Sequence, residues 1–181
     1  MSPSSPQLAA GMIAELPPGA ARVIELGGGT GVFTQALLAH GIRADDLMVM
    51  ELNAELHSHL EQLFPGVHVQ HGDARELVRL ASDCGFSQGG LADAAISGLG
   101  MLSMPGAMQR DIVAATFECL RPGGRFIQFT YGPTAPLSRE VMQALDINAR
   151  RGAFVLRNLP PATVYVFTRN LSESAGTAHS D

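Results

Sequence analysis

The 181-residue chain has no lysine and no tryptophan, and its twelve cationic side chains are all arginine. Together with the many alanines, this reflects the nucleotide composition of the source rather than a function. Cysteine is almost as scarce. Cys84 and Cys119 are too few and too isolated for a disulfide framework or a zinc site, and they read as buried or incidental thiols in a reducing compartment. His57 and His59 are two positions apart, on different sides of a helix, so no metal site is expected. No apolar run approaches the roughly 20 residues a membrane span requires. The start lacks the basic and apolar pattern of a secretory signal, so the expected location is cytoplasmic. Charged residues make up only 16% against 46% hydrophobic, a globular and somewhat apolar balance. No internal repeat is found. Residues 1–130 hold seven arginines against thirteen acids, whereas 131–170 hold five against two. An acidic body with a locally basic last third argues against nucleic-acid binding and leaves room for one anionic group.

What the chain does have is glycine in one place. Val23 to Leu26 is a short apolar run, glycines follow at 27, 28, 29 and 31, and Val32 to Leu38 carries a helical pattern. That predicts a strand, a tight turn and a helix whose free N–H groups face an anionic ligand. A dinucleotide fingerprint needs a sixth-position glycine, but that position, counted from Gly27, is Val32. The pattern present is Glu25-x-Gly27-x-Gly29-x-Gly31. Leu47 to Asn53 reads as a second strand, ending in Glu51, twenty residues past Gly31. An acid there accepts from a ribose hydroxyl in doubly wound folds, although an isolated acid at a strand end can also be merely solvated. Val67 to His71 leads into Gly72-Asp73-Ala74, which resembles the position at a third strand end where an aspartate of a methyltransferase meets an adenine amine; Asp73 can also cap a helix, and the two roles are compatible.

The remaining chain alternates in the same way. A first helix is expected from Ser4-Ser5-Pro6 to about Leu16, either packed on the domain or lying over the cofactor site. Ala92 to Gly100 reads as the central fourth strand, placing residues 97–100, Ser97 included, at the topological switch point. A helix opens at Pro105, Arg125 to Tyr131 makes strand five, and a helix runs from about Ser138 to Asp146. Strands at Ala153 to Arg157 and Thr163 to Thr168 suggest a closing antiparallel hairpin, with Arg150 and Arg151 before it. The fold class is therefore α/β: a Rossmann-like, seven-stranded, mostly parallel sheet with helices on both faces. One domain spans residues 1–171, and residues 172–181 read as a flexible tail.

The glycine pattern resembles motif I of the class I S-adenosylmethionine-dependent methyltransferases, and Glu51 and Asp73 stand at successive strand ends as that resemblance requires. The detail is similar to a narrower family, the bacterial phospholipid N-methyltransferases that act on phosphatidylethanolamine. It rests on Pro3-Ser-Ser-Pro6, Val49-Met-Glu-Leu-Asn53, Leu102-Ser-Met-Pro105, Arg121 to Gly132 and Arg157-Asn-Leu-Pro-Pro-Ala162. The resemblance implies S-adenosylmethionine as cofactor and S-adenosylhomocysteine as product. Its binding positions match Glu25, Gly27, Gly29, Thr30, Gly31, Glu51, Leu52, Asp73, Ala74 and Ser97, and Tyr131 faces the lipid amine. Position 100 is glycine where many relatives carry proline, which predicts a looser loop beside the methyl.

Methyl transfer to an amine is an in-line displacement in which the protein aligns the reactants and excludes water. Tyr131 and the Ser97 carbonyl are the candidates to hold the amine, with core packing the other reading of Tyr131. The implied partners are an amine phospholipid and an anionic membrane surface, bound peripherally from the cytoplasmic side. Arg139, Arg150 and Arg151 are candidates for the lipid phosphate, or simply a solvated basic face. Three alternatives stay open: a methyltransferase for a soluble amine, one for RNA adenine, and a non-catalytic cofactor-binding module.

Overall fold

In the computed structural model, residues 4–171 are described; the expected tail at 172–181 and Pro3 of the N-terminal block lie outside them. Seven strands form one sheet: β1 (Val23–Leu26), β2 (Leu47–Glu51), β3 (His68–His71), β4 (Ala92–Ser97), β5 (Leu120–Thr130), β6 (Ile147–Val155) and β7 (Ala162–Arg169), in the order β3-β2-β1-β4-β5-β7-β6. Strands β1 to β5 pair in parallel, and β7 is antiparallel to both of its neighbours. The expected closing hairpin is present. Its second strand, not its first, joins the sheet.

Six helices cover the two faces: α1 (Pro6–Ile13), α2 (Val32–His40), α3 (Ala54–Leu63), α4 (Leu77–Asp83), α5 (Gly106–Glu118) and α6 (Arg139–Ala144). The central strands are buried on both faces, which is why they read as unbroken apolar runs. Ile24, Leu26, Met48, Met50 and Phe126 pack with α4 and α5 on one side. Val23, Val49, Ile96 and Ile127 pack with Leu8 and Met12 of α1, Phe33 and Leu37 of α2 and Leu60 of α3 on the other. Local signals set the ends. Ser5 caps α1 by accepting from Leu8 N, and Asn53 caps α3 by accepting from Glu55 N and Leu56 N. Gly41, at φ 118°, ends α2.

Helix α1 packs its buried Leu8, Ala9 and Met12 onto the sheet beside α2, and only its N-cap reaches the carboxyl edge, where Asn158 Oδ1 accepts from Ser5 N. The boundaries at the far edge differ from those read in the sequence. β6 begins at Ile147, so Arg150 and Arg151 lie within it rather than before it. Asn148 to Arg151 are all exposed on an edge strand, so no apolar alternation marks them as strand. Arg150 also pairs with Glu15 at 2.7 Å. The turn before strand five belongs to the strand: Leu120 pairs with Ala92, and the register shifts before Arg125 meets Ala94.

Candidate active site

At the switch point between β1 and β4 the two strand ends meet through glycine. Gly98 N donates to Leu26 O at 2.8 Å, and a Cβ on Gly98 would stand 3.0 Å from Gly27 O. Gly27 itself has φ 73°, and a Cβ there would meet the Leu99 side chain at 2.8 Å. A Cβ at Gly98 would crowd the Gly27 carbonyl, and one at Gly27 would displace the Leu99 side chain and strain a left-handed backbone. Gly29, also left-handed at φ 55°, has nothing within 4 Å of a built Cβ, so its open side faces space at the carboxyl edge. Gly31 starts α2 with no side-chain cap, leaving the helix's first N–H groups available beside that space.

Two acids frame this turn in different ways. Glu51 Oε2 accepts from Gly29 N at 2.8 Å and Oε1 accepts from Asn53 N at 2.9 Å. It therefore ties the end of β2 to the glycine turn. Glu25 is fully buried; its Oε2 accepts from Thr34 Oγ1 at 2.6 Å, whereas Oε1 is buried without a partner. Burial pushes its carboxyl up to about 8, opposed by the Thr34 hydrogen bond and reinforced by the nearby Glu51 charge. At neutral pH Glu25 is mostly the uncharged acid. A buried acid with a spare oxygen at a ligand crevice can give or take a proton as a ligand arrives.

Asp73 is placed at the end of β3, where it caps the following turn by accepting from Arg75 N. Both of its oxygens also accept from the Arg75 guanidinium, which holds the carboxyl below its usual range. Thr30 and Leu52 are exposed and Ala74 half-buried, each at the end of β1, β2 or β3. Ser97 ends β4, fully buried, with its Oγ accepting from Leu99 N at 3.2 Å.

Gln128 is the residue the sequence reading missed. It pairs in register with Ser97, is buried, donates from Nε2 to Leu99 O at 2.8 Å and to Phe129 O at 3.1 Å, and keeps Oε1 without a partner. A polar residue in an otherwise buried strand was the available signal. The same bonds bear on the segment around Gly100, where a looser loop was expected. That segment is held by Gln128 at Leu99 O, by Ser103 Oγ donating to Gly100 O at 2.8 Å and by Gln109 Nε2 donating to Met101 O at 2.7 Å. Tyr131, just past β5, is exposed and stacks edge-on against Phe129 at 5.3 Å, which in turn meets Phe33 at 6.0 Å. Among the described residues, no group of three or more His, Cys, Asp or Glu could hold a metal ion.

The strand order, the glycine turn and the acid at the end of β2 define the class of the protein: a class I S-adenosylmethionine-dependent methyltransferase. The open side at Gly29 and the partnerless Glu25 oxygen, beside the uncapped start of α2, suit a cofactor that carries both a carboxylate and an ammonium. Solved structures share the fold. The glycopeptide N-methyltransferase MtfA bound to S-adenosylmethionine superposes with TM-score 0.68 at 14% identity, over 91% of this chain and 94% of that one. CalS10, an amino pentose methyltransferase from Micromonospora echinaspora, gives 0.65 at 18%, over 92% of each. No family model matches the chain. The chain is 34% identical over 179 residues to the ornithine lipid N-methyltransferase of Singulisphaera acidiphila, covering 96% of this chain and 89% of the relative. It belongs to the family of that enzyme.

Proposed function

We propose that the chain methylates the amine of an aminolipid head group. The observation that carries this reading is the 34% identity to a lipid N-methyltransferase over nearly the whole length of both chains. Phosphatidylethanolamine or its methylated derivatives are the acceptor the sequence motifs favour, and the relative's name adds ornithine lipid. Both offer an amine on a lipid that stays in a membrane, so the enzyme works peripherally at a bilayer surface. No described helix is long and apolar enough to cross one.

When bound, S-adenosylmethionine supplies a methyl already activated by a sulfonium. Glu51 accepts from the ribose hydroxyls, and Gly27, Gly29, Thr30 and Gly31 leave backbone and helix N–H groups for the methionine carboxylate. Leu52, Asp73 and Ala74 border the adenine, with Asp73 using lone pairs that its Arg75 pair leaves over. The uncharged Glu25 lies beneath the turn, with its partnerless Oε1 as an acceptor for the methionine ammonium. The acceptor amine must lose its proton before it can attack. The Ser97 carbonyl and Tyr131 hold it in line, and the Tyr131 ring, backed by Phe129 and Phe33, suits the cationic methylated product. Gln128 positions this frame by fixing the Leu99 carbonyl between the two.

Incubation with labelled cofactor and vesicles containing phosphatidylethanolamine, in parallel with ornithine lipid and with free ethanolamine, tests the reading. Mono-, di- or trimethylated lipid is the expected product. Transfer only to the soluble amine, or to RNA, would overturn it.

A further inference from the structure

The exposed large apolar side chains of the described residues are not scattered. Leu52 follows β2, Leu102 lies in the loop after β4, Tyr131 follows β5, and Phe154, Leu156 and Leu159 occupy the end of β6 and its connection to β7. All six stand at the carboxyl edge of the sheet, where the glycine turn opens. Leu63, Leu91 and Leu171 lie at the opposite edge, one on each of three separate segments, and Val78 is on α4. The carboxyl-edge group is densest around β5, β6 and β7, with Phe154 62% exposed, Leu156 68% and Leu159 79%.

That tip is held in place. Asn158, 1% exposed, accepts from Ser5 N at the start of α1 and donates from Nδ2 to Pro160 O at 2.7 Å. Its polar side chain turns inward and leaves its neighbours Arg157 and Leu159 outward. Arg157 is exposed and has no ion-pair partner among the described residues, whereas Arg139, at the start of α6, lines a hollow with Asp146, Asn148 and Asn170 at the amino end of β6. Among the acids on this edge, Glu51 is bonded to backbone, Asp73 to Arg75 and Glu76 to Arg79, and Glu25 is uncharged, which leaves Glu55 exposed at the start of α3, at the far side of the sheet from β6 and β7. A chain of net charge −5 thus turns an apolar rim with an outward arginine toward whatever faces its active site.

We propose that this rim, centred on Phe154, Leu156 and Leu159 and flanked by Arg157, is the surface that docks on the lipid bilayer. The inference rests on the aminolipid reading and says how that acceptor is reached. Apolar side chains enter the boundary between head groups and acyl chains, Arg157 meets a lipid phosphate, and the mouth beside Tyr131 is held at head-group height. The lipid then need not leave the membrane. This differs from the basic-face reading of the sequence, because Arg139 lines a hollow at the amino end of β6, Arg150 and Arg151 lie mid-strand on β6 and Arg150 is engaged by Glu15.

Flotation with vesicles of phosphatidylethanolamine and phosphatidylglycerol, without cofactor, tests the surface directly. Phe154→Asp with Leu156→Asp is expected to lower vesicle partitioning by about tenfold or more. Leu63→Asp with Leu91→Asp, at the opposite edge, should change it by less than about twofold. The rim pair should bind S-adenosylmethionine as the unaltered chain does and methylate a short-chain, water-dispersed aminolipid normally, while losing activity on vesicles. Equal flotation of the rim pair and the unaltered chain, or an equal loss in the opposite-edge pair, would overturn the proposal. An unaltered chain that floats but methylates no aminolipid would instead overturn the acceptor reading, and the flotation of the two pairs would still decide the surface.

Discussion

Glu25 concentrates the tension at the residue scale. Its ordinary value of 4.5 is raised to about 8 in the fold, so the native state holds a proton that the unfolded chain releases between those limits. Its contribution to stability is complete below about pH 4.5 and is lost as pH rises toward 8, by up to about 1.4 kcal/mol per unit. Urea unfolding of the cofactor-free protein from about pH 5.5 to about pH 8.5 should show that decline, and Glu25→Gln should flatten it. A slope identical in the two proteins would mean that Glu25 is ionised throughout. Glu51 behaves differently, because both its oxygens already accept from backbone N–H groups. Glu51→Ala should raise the Kd for S-adenosylmethionine roughly 10- to 100-fold in a calorimetric titration, the range expected for lost hydrogen bonds to a charged group.

Elements transmit these residues to the site. The contact between the ends of β1 and β4 is tight at Gly98, where a Cβ would stand 3.0 Å from Gly27 O. Gly98→Ala should separate the turns, lowering kcat/KM by about tenfold or more while circular dichroism reports an unchanged fold. The connection from β6 to β7 depends on one buried amide. Asn158→Ala removes its bonds to Ser5 and Pro160 O and should cost about 1–3 kcal/mol, read as a lower Tm and as exposure of α1 to proteolysis. Element types were legible from the apolar runs, the glycine turn and the Ser5 and Asn53 caps. The extent of β6 was not, since an exposed edge strand of polar residues gives no periodicity to read.

For the molecule as a whole, the cofactor crevice joins the two halves of the sheet, so filling it should stabilise the entire domain. S-adenosylhomocysteine at about 100 times its Kd should add about 2.7 kcal/mol and raise Tm by roughly 5–10 °C, whereas NAD should not. A melt unmoved by S-adenosylhomocysteine would count against the site. By itself the sequence determined the parallel core, the glycine turn and the acid at the end of β2, because these follow from local propensity and short spacing. Only the tertiary structure decided that the Glu25 oxygen lies buried without a partner, that Gln128 fixes the loop after Ser97, and that apolar side chains from four separate segments share one edge. Those facts depend on strand register and burial between residues far apart in the chain, which no local pattern encodes. The glycine turn could be read before folding, but its buried floor and apolar rim exist only once the sheet has closed around it.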